Sequence, residues 1–296
     1  MNIARIDQSG KLSTVASKLR KNFELWNYRE VLLPAIEQAD KQLDKGTKFT
    51  DGKDFYLVKP DITSQILTGL KEGKEYKLFY LSEVLDGGTS GDWQFGAEYV
   101  GGEDRWMILE ILTGIITALE FLNIEDFFID IGSSKVWESV TEEIPEVKED
   151  VFRALHHRSF DLIDEADIPD QKRKEIWRLF NYRGKSCDYQ KLDSILEVID
   201  DERLFADFGT IRGLPYYKDL TFEIYSPEVG SPLGGGGEYK FGNTSCCGFA
   251  FHLQNLLEIF TDGEKKERVK IDGKPGEAFD RAKDLVEDEV AVEVRP

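Results

Sequence analysis

The chain has 296 residues, enough to bury a sizeable core as one large domain or a domain with insertions. Its 41% hydrophobic and 32% charged residues describe an ordinary globular protein and exclude a disordered one. A net charge of -19, from 38 Lys+Arg against 57 Asp+Glu, argues against a nucleic-acid partner, because that affinity comes largely from cations neutralising phosphates.

Residues 11–27 carry apolar positions near helical spacing and predict an amphipathic helix. Residues 28–37 follow as a strand that meets Pro34, which cannot donate to a ladder. Short strands rich in aromatic and β-branched residues are expected at 54–59 and 77–85, with a helix between them opened by Asp61-Ile62-Thr63-Ser64. Residues 93–100 read as another strand, 104–122 as a long helix apolar on most faces, and 126–131 as a strand. From about 133 to 203 strand-like alternation disappears and charged helical segments take over, at 149–166, 170–181 and 189–198. This reads as a helical insertion within a domain over 1–262. Strands resume at 204–211, 219–225 and 245–251, the last running into a helix at 252–260. A tail over 263–296 has a β-α-β pattern of strand 267–271, helix 276–287 and strand 290–295.

Cys187, Cys246 and Cys247 form no CxxC pair and no disulfide framework, and the adjacent pair lies in an apolar run suited to packing. With three His, of which His156 and His157 sit in the insertion without a ligand pattern, neither a metal nor another cofactor is expected. The opening MNIARIDQSGKL lacks a signal-peptide apolar segment, and no run approaches the roughly 20 apolar residues of a membrane span. A cytoplasmic protein without a membrane partner is the expectation.

The most informative stretch is Arg212-Gly213-Leu214-Pro215-Tyr216-Tyr217, followed by Leu233-Gly234-Gly235-Gly236-Gly237-Glu238-Tyr239. Upstream stand Val58-Lys59-Pro60-Asp61-Ile62-Thr63 and Gln94-Phe95-Gly96-Ala97-Glu98-Tyr99-Val100-Gly101. In this order, over roughly residues 11–260, they resemble the histidine-site signatures of histidyl-tRNA synthetases, class II enzymes that activate histidine with ATP. Residues 28–37 are similar to motif 1 of that class, whose helix, strand and proline form a dimer interface. The resemblance implies an α+β fold: a class II synthetase-like antiparallel sheet flanked by helices.

Free histidine presents an ammonium, a carboxylate and two ring nitrogens, and each buried polar group left unpaired costs about 1–3 kcal/mol. By resemblance Asp61 and Thr63 take the ammonium, with Gln94 bridging it to the carboxylate. Arg212 takes the carboxylate in a charge-assisted contact. Glu98 accepts from one ring nitrogen and Tyr217 pairs with the other, with Tyr216 beside it. Taken singly, Glu98 and Asp61 read as surface carboxylates, the two tyrosines as strand aromatics and Arg212 as a salt-bridge residue; the joint pattern carries the reading. The glycine run lacks a P-loop lysine and the Rossmann spacing. Gly235, Gly236 and Gly237 read instead as a glycine-rich loop that lets backbone approach a small ligand.

Asp61 stands where the synthetases have Glu, one methylene longer, and three arginine positions also depart from their pattern. Asp86 stands where motif 2 has an arginine for the ATP α-phosphate, Asn255 where motif 3 has one, and Glu238 replaces a third. A cation facing phosphate at about 4 Å is worth roughly 4 kcal/mol at an effective dielectric of about 20, and a carboxylate there reverses the sign. The expectation is a protein that is not an enzyme, similar to the regulatory subunits of ATP phosphoribosyltransferase. In that family a synthetase-like dimer joins a short catalytic subunit, commonly as a hetero-octamer, in the first step of histidine biosynthesis, and conveys feedback inhibition by histidine. A divergent histidyl-tRNA synthetase, a stand-alone histidine sensor and a paralog that binds no ligand are the rivals.

Overall fold

The computed structural model describes residues 3–38, 47–58, 61–84, 92–157, 159, 161–165, 168–210, 217–261 and 268–295. The first helix, α1 (Ile3–Leu25), buries Val15, Leu19 and Phe23 at four-residue spacing along one stripe. Asn27, left-handed at φ 64°, closes it. The single strand expected over 28–37 is two short ones, β1 (Arg29–Glu30) and β2 (Ile36–Gln38), and Pro34, with no N–H to give, falls in the gap. With β3 (Thr47–Thr50) and β4 (Phe55–Val58), β2 makes a small three-stranded antiparallel sheet.

Next come α2 (Ile62–Thr68), the hairpin strands β5 (Tyr76–Val84) and β6 (Asp92–Val100), the long helix α3 (Asp104–Phe121) and β7 (Phe128–Ser133). Then come α4 (Ser134–Thr141), a 3-10 turn at Pro145–Val147, α5 (Lys148–His157), α6 (Asp161–Glu165), α7 (Asp170–Phe180), β8 (Arg183–Gly184) and α8 (Gln190–Ile199). The one helix expected over 149–166 is two. The Ser159 amide reaches back five residues to the Ala154 carbonyl, which breaks the four-residue ladder. Strands β9 (Leu204–Asp207), β10 (Tyr217–Tyr225), β11 (Gly234–Phe241) and β12 (Thr244–His252) lead to α9 (Leu253–Ile259).

These strands build a nine-stranded sheet in the order β1-β5-β6-β12-β11-β10-β7-β9-β8. It is antiparallel from β5 to β7 and has parallel pairs at β1–β5 and β7–β9. Reading Gly235, Gly236 and Gly237 as a loop is corrected: they lie in β11, an interior strand paired along both edges. One face of the sheet is packed by α1 and α3. Phe23 lies 5.5 Å, ring centre to ring centre, from both Phe95 and Phe249, over Met107, Ile108 and Ile111. Each such buried side chain contributes about 1.5–3 kcal/mol. Among the described residues no helix is long and apolar enough to cross a membrane.

The chain divides into two compact units, Met1–Phe260 and Thr261–Pro296. The second holds β13 (Val269–Asp272), α10 (Pro275–Glu287) and β14 (Val292–Arg295). Its two strands pair in parallel, and Ile271, Ala278 and Ala282 form its core.

Candidate ligand site on the open face of the sheet

Residues opposite one another on neighbouring strands share a face, as do alternate residues along a strand. The register therefore lays out the face away from α1 and α3. Thr221, Gly237, Gly248, Glu98 and Leu78 form one row across β10, β11, β12, β6 and β5. Glu223, Gly235, Ala250, Gly96 and Tyr80 form the next. Tyr239, Cys246 and Val100 bound these rows at one end, and His252, Gln94 and Ser82 at the other. The middle is thus a floor of four glycines and one alanine, with almost no side chain above the backbone. A Cβ on Gly248 would overlap Glu98 Oε2, so the Glu98 carboxylate leans over Gly248; a Cβ on Gly96 would run into the Tyr80 ring.

Helix α2 walls this floor. Ile62 and Ile66 pack on Leu78 and Tyr80, and Leu67 joins Val100, Tyr239 and Cys246. Gln65 Nε2 donates to the Pro34 carbonyl (3.0 Å) and to Glu37 (2.9 Å), tying α2 to the segment after β1. Asp61 caps the helix: its Oδ2 accepts from the Ser64 amide at 2.9 Å and the Ser64 hydroxyl at 2.6 Å. Two residues on, the Thr63 hydroxyl donates to Glu98 Oε1 at 2.8 Å. From the far side the Tyr239 hydroxyl donates to Glu98 Oε2 at 2.7 Å.

Glu98 is 3% exposed, and burial pushes its carboxyl up to about 7. The Tyr239 and Thr63 hydroxyls pull the other way, and the nearby Asp61 charge adds to the rise. A carboxylate offers about four acceptor positions. Two are occupied by hydroxyls, which leaves capacity for an N–H from a ligand. Thr221, 1% exposed in the same row, has a hydroxyl with no hydrogen-bond partner among the described residues.

Of the residues expected to hold a ligand, Asp61, Thr63 and Glu98 meet at this place, and half-buried Gln94 shares the face four residues from Glu98. Gly235 and Gly237 belong to the floor; Gly236, between them, faces α1 and α3 by alternation. Arg212 and Tyr216 lie outside the described residues, as does the Tyr217 side chain, whose backbone starts β10 opposite Tyr239. Asp86 lies outside them too. Asn255 donates its amide to the Pro232 carbonyl at 2.7 Å, holding the turn before β11. Glu238 is not the site-facing acid that the sequence suggested. It alternates with Tyr239 to the opposite face and meets Lys191 of α8 at 2.5 Å, and Lys191 also reaches the buried Asp219 at 3.0 Å. Burial raises the Glu238 carboxyl against that ion pair.

Tyr239 is the residue that sequence reasoning overlooked. Its signal was available: it stands two positions past Gly237 and shares the glycines' face once the run is read as a strand. Among the described residues, no group of three His, Cys, Asp or Glu could hold a metal ion.

The family model described as histidyl-tRNA synthetase matches residues 5–256. The chain belongs to the histidyl-tRNA synthetase family. Within it, similar proteins carry two names. An ATP phosphoribosyltransferase regulatory subunit of Desulforamulus reducens is 26% identical, over 81% of this chain and 73% of its own length. A histidine–tRNA ligase of Methanocaldococcus jannaschii is 25% identical, over 88% and 74%. The regulatory-subunit name recurs among relatives at 24–27% identity. In three dimensions the chain is similar to the ATP phosphoribosyl transferase (HisG:HisZ) complex from Thermotoga maritima, with a TM-score of 0.68, 20% identity and coverage of 83% of this chain and 97% of that one. It is also similar to histidyl-tRNA synthetase from Nostoc sp. PCC 7120, with a TM-score of 0.79, 16% identity and coverage of 98% of this chain and 83% of that one, and this likeness shows the class II synthetase-like fold.

Proposed function

We propose that this chain is a non-catalytic regulatory subunit of an ATP phosphoribosyltransferase and holds free histidine at the Glu98 site. The observation that carries the proposal is the make-up of the open face. Around a bare glycine floor stand a buried carboxylate and hydroxyls, and none of the residues on this face of β5, β6, β11 and β12 is Lys or Arg. Triphosphate chemistry needs cations aimed at the reacting phosphates. The sequence between β5 and β6, residues 85–91, reads Leu-Asp-Gly-Gly-Thr-Ser-Gly and has none to add. An imidazole-bearing zwitterion, by contrast, needs N–H acceptors on a dry surface.

The recurring regulatory-subunit name and the likeness to the Thermotoga complex support a short catalytic subunit as partner. Self-association fits the segment similar to motif 1, where Leu32 is 87% and Ile36 52% exposed. Histidine regulates such an assembly only if it binds one conformation of the complex better than the other. The test is phosphoribosyl-ATP formation by a short catalytic subunit, with and without this chain. Activation by the chain is expected, together with histidine inhibition that Glu98→Ala abolishes; a catalytic subunit indifferent to the chain refutes the proposal.

The Methanocaldococcus relative favours a second reading, a histidine–tRNA ligase. Histidine-dependent exchange of pyrophosphate into ATP would establish it.

A further inference from the structure

A cavity of about 200 Å³ opens between α4, α7 and the residues around β8. Val140, Leu179, Tyr182, Cys187 and Phe208 make its walls, and Glu175, Arg178, Ser186 and Asp188 stand at its mouth. None of these residues lies on β5, β6, β11 or β12, so this space is separate from the Glu98 site.

The walls are apolar, and the polar groups among them are already engaged. Tyr182 and Phe208 stand ring to ring at 5.6 Å. The Tyr182 hydroxyl donates to the Ser186 carbonyl, and the Phe208 carbonyl accepts from Trp137 Nε1 at 2.7 Å. The Cys187 amide donates to Asp193 at 2.7 Å and the Phe208 amide to the Tyr182 carbonyl at 3.3 Å. Burial pushes the Cys187 thiol up to about 12, so it stays neutral. A polar group of a guest would find no free partner inside, and leaving it unpaired there is costly, so the enclosed part of a guest must be apolar. Apolar cavities of about 150 Å³ take up benzene, which makes this space fit for one ring or one branched alkyl group.

The mouth offers charge of both signs. Glu175 is neutralised by Lys172 at 2.8 Å. Arg178, one turn further along α7, and Asp188, beyond β8, are exposed and form no ion pair among the described residues. The Asp188 carboxylate bears on the walls, where its charge adds to the rise of both the Tyr182 hydroxyl and the Cys187 thiol. A guanidinium and a carboxylate left open on the rim of an apolar space complement a zwitterion with an apolar body.

We infer that this cavity is a second small-molecule site, which encloses the side chain of an apolar α-amino acid, leucine or phenylalanine in kind, with its carboxylate on Arg178 and its ammonium on Asp188. The inference is independent of the histidine reading, since an imidazole would find no partner within these walls.

The test is calorimetric titration of the whole chain with leucine and with phenylalanine, repeated in saturating histidine. One molecule of at least one of them is expected to bind per chain, with affinity unchanged by histidine. Arg178→Met and Asp188→Asn, both at exposed positions, should each weaken that binding tenfold or more and leave the melting temperature unchanged. Leucinamide, which lacks the carboxylate, should bind wild type and Arg178→Met alike. The ammonium-free 4-methylpentanoate should bind wild type and Asp188→Asn alike. Leu179→Trp, which fills the space, should abolish binding. Failure of both amino acids to bind overturns the inference, as does binding that histidine displaces or that Arg178→Met leaves unchanged.

Discussion

Two rows of the sheet, one residue apart, face opposite ways and are built on opposite rules. Phe222, Gly236, Phe249, Ala97 and Phe79 face α1 and α3, closed over by Phe23 and the apolar side of α3. Thr221, Gly237, Gly248, Glu98 and Leu78 face the open side, with a buried ionisable group on β6 and, three strands away on β10, a hydroxyl unpaired among the described residues. Packing stabilises the first row. In the second, desolvation works against the folded state until something supplies the missing partners. The contrast teaches where binding free energy can come from: a partner that met buried polar groups such as Glu98 would relieve a cost the protein already carries.

The largest expected effect lies on the packed face, one row from Ala97. Phe95→Ala should cost about 3–5 kcal/mol in denaturant unfolding, because Phe79 and Phe249 cannot close the space Phe23 also borders. A loss under about 1 kcal/mol would mean that the core face is not the source of stability.

On the open row the sign should reverse. The folded carboxyl of Glu98 is raised to about 7 by burial. Folded protein therefore binds more protons than unfolded protein between the ordinary carboxylate range and about 7, so this residue's contribution falls as pH rises through that window. The fall should amount to about 3 kcal/mol, at about 1.4 kcal/mol per unit. Glu98→Gln, whose hydroxyl neighbours can turn to suit an amide, should flatten the decline and melt higher than wild type at pH 8. Parallel pH–stability curves for the two proteins would contradict the account.

Gly248→Ala tests the floor itself. Its Cβ would displace the Glu98 carboxylate, and histidine affinity should fall about 100-fold, about 2.7 kcal/mol, in calorimetric titration. The smallest effect separates two roles of Asp61. Asn caps a helix as well as Asp does, so Asp61→Asn should leave the melting temperature nearly unchanged while weakening histidine binding. Asp61→Ala should cost about 1 kcal/mol of stability in addition.

How far the sequence reveals this contrast depends on which signal each residue carries. The helix of residues 104–122 was legible because a long apolar run between Asp104 and Asn123 leaves few alternatives, and it is observed as Asp104–Phe121. Asp61, Thr63 and Glu98 were legible only through family resemblance, since single carboxylates carry no local sign of burial. The strand β11 was not legible. Four glycines in succession disfavour a strand and show no alternation, so only pairing with β10 and β12 makes them one. With that strand misread, Glu238 was counted toward the site and Tyr239 left out of it, the two errors a single change of face produces. Thr221 was hidden for another reason. A threonine in a strand is unremarkable until its neighbours across two strands prove to be glycines and its hydroxyl proves unpaired among the described residues.

The claim most exposed to test is that the open face takes an amino acid and not a nucleotide. Histidine titrated calorimetrically into the purified chain, with and without magnesium ATP, addresses it in one experiment. Saturation at one histidine per chain, with affinity indifferent to ATP and no pyrophosphate released, is the result this account predicts. No heat from histidine, or binding that tightens with ATP and releases pyrophosphate, would contradict it.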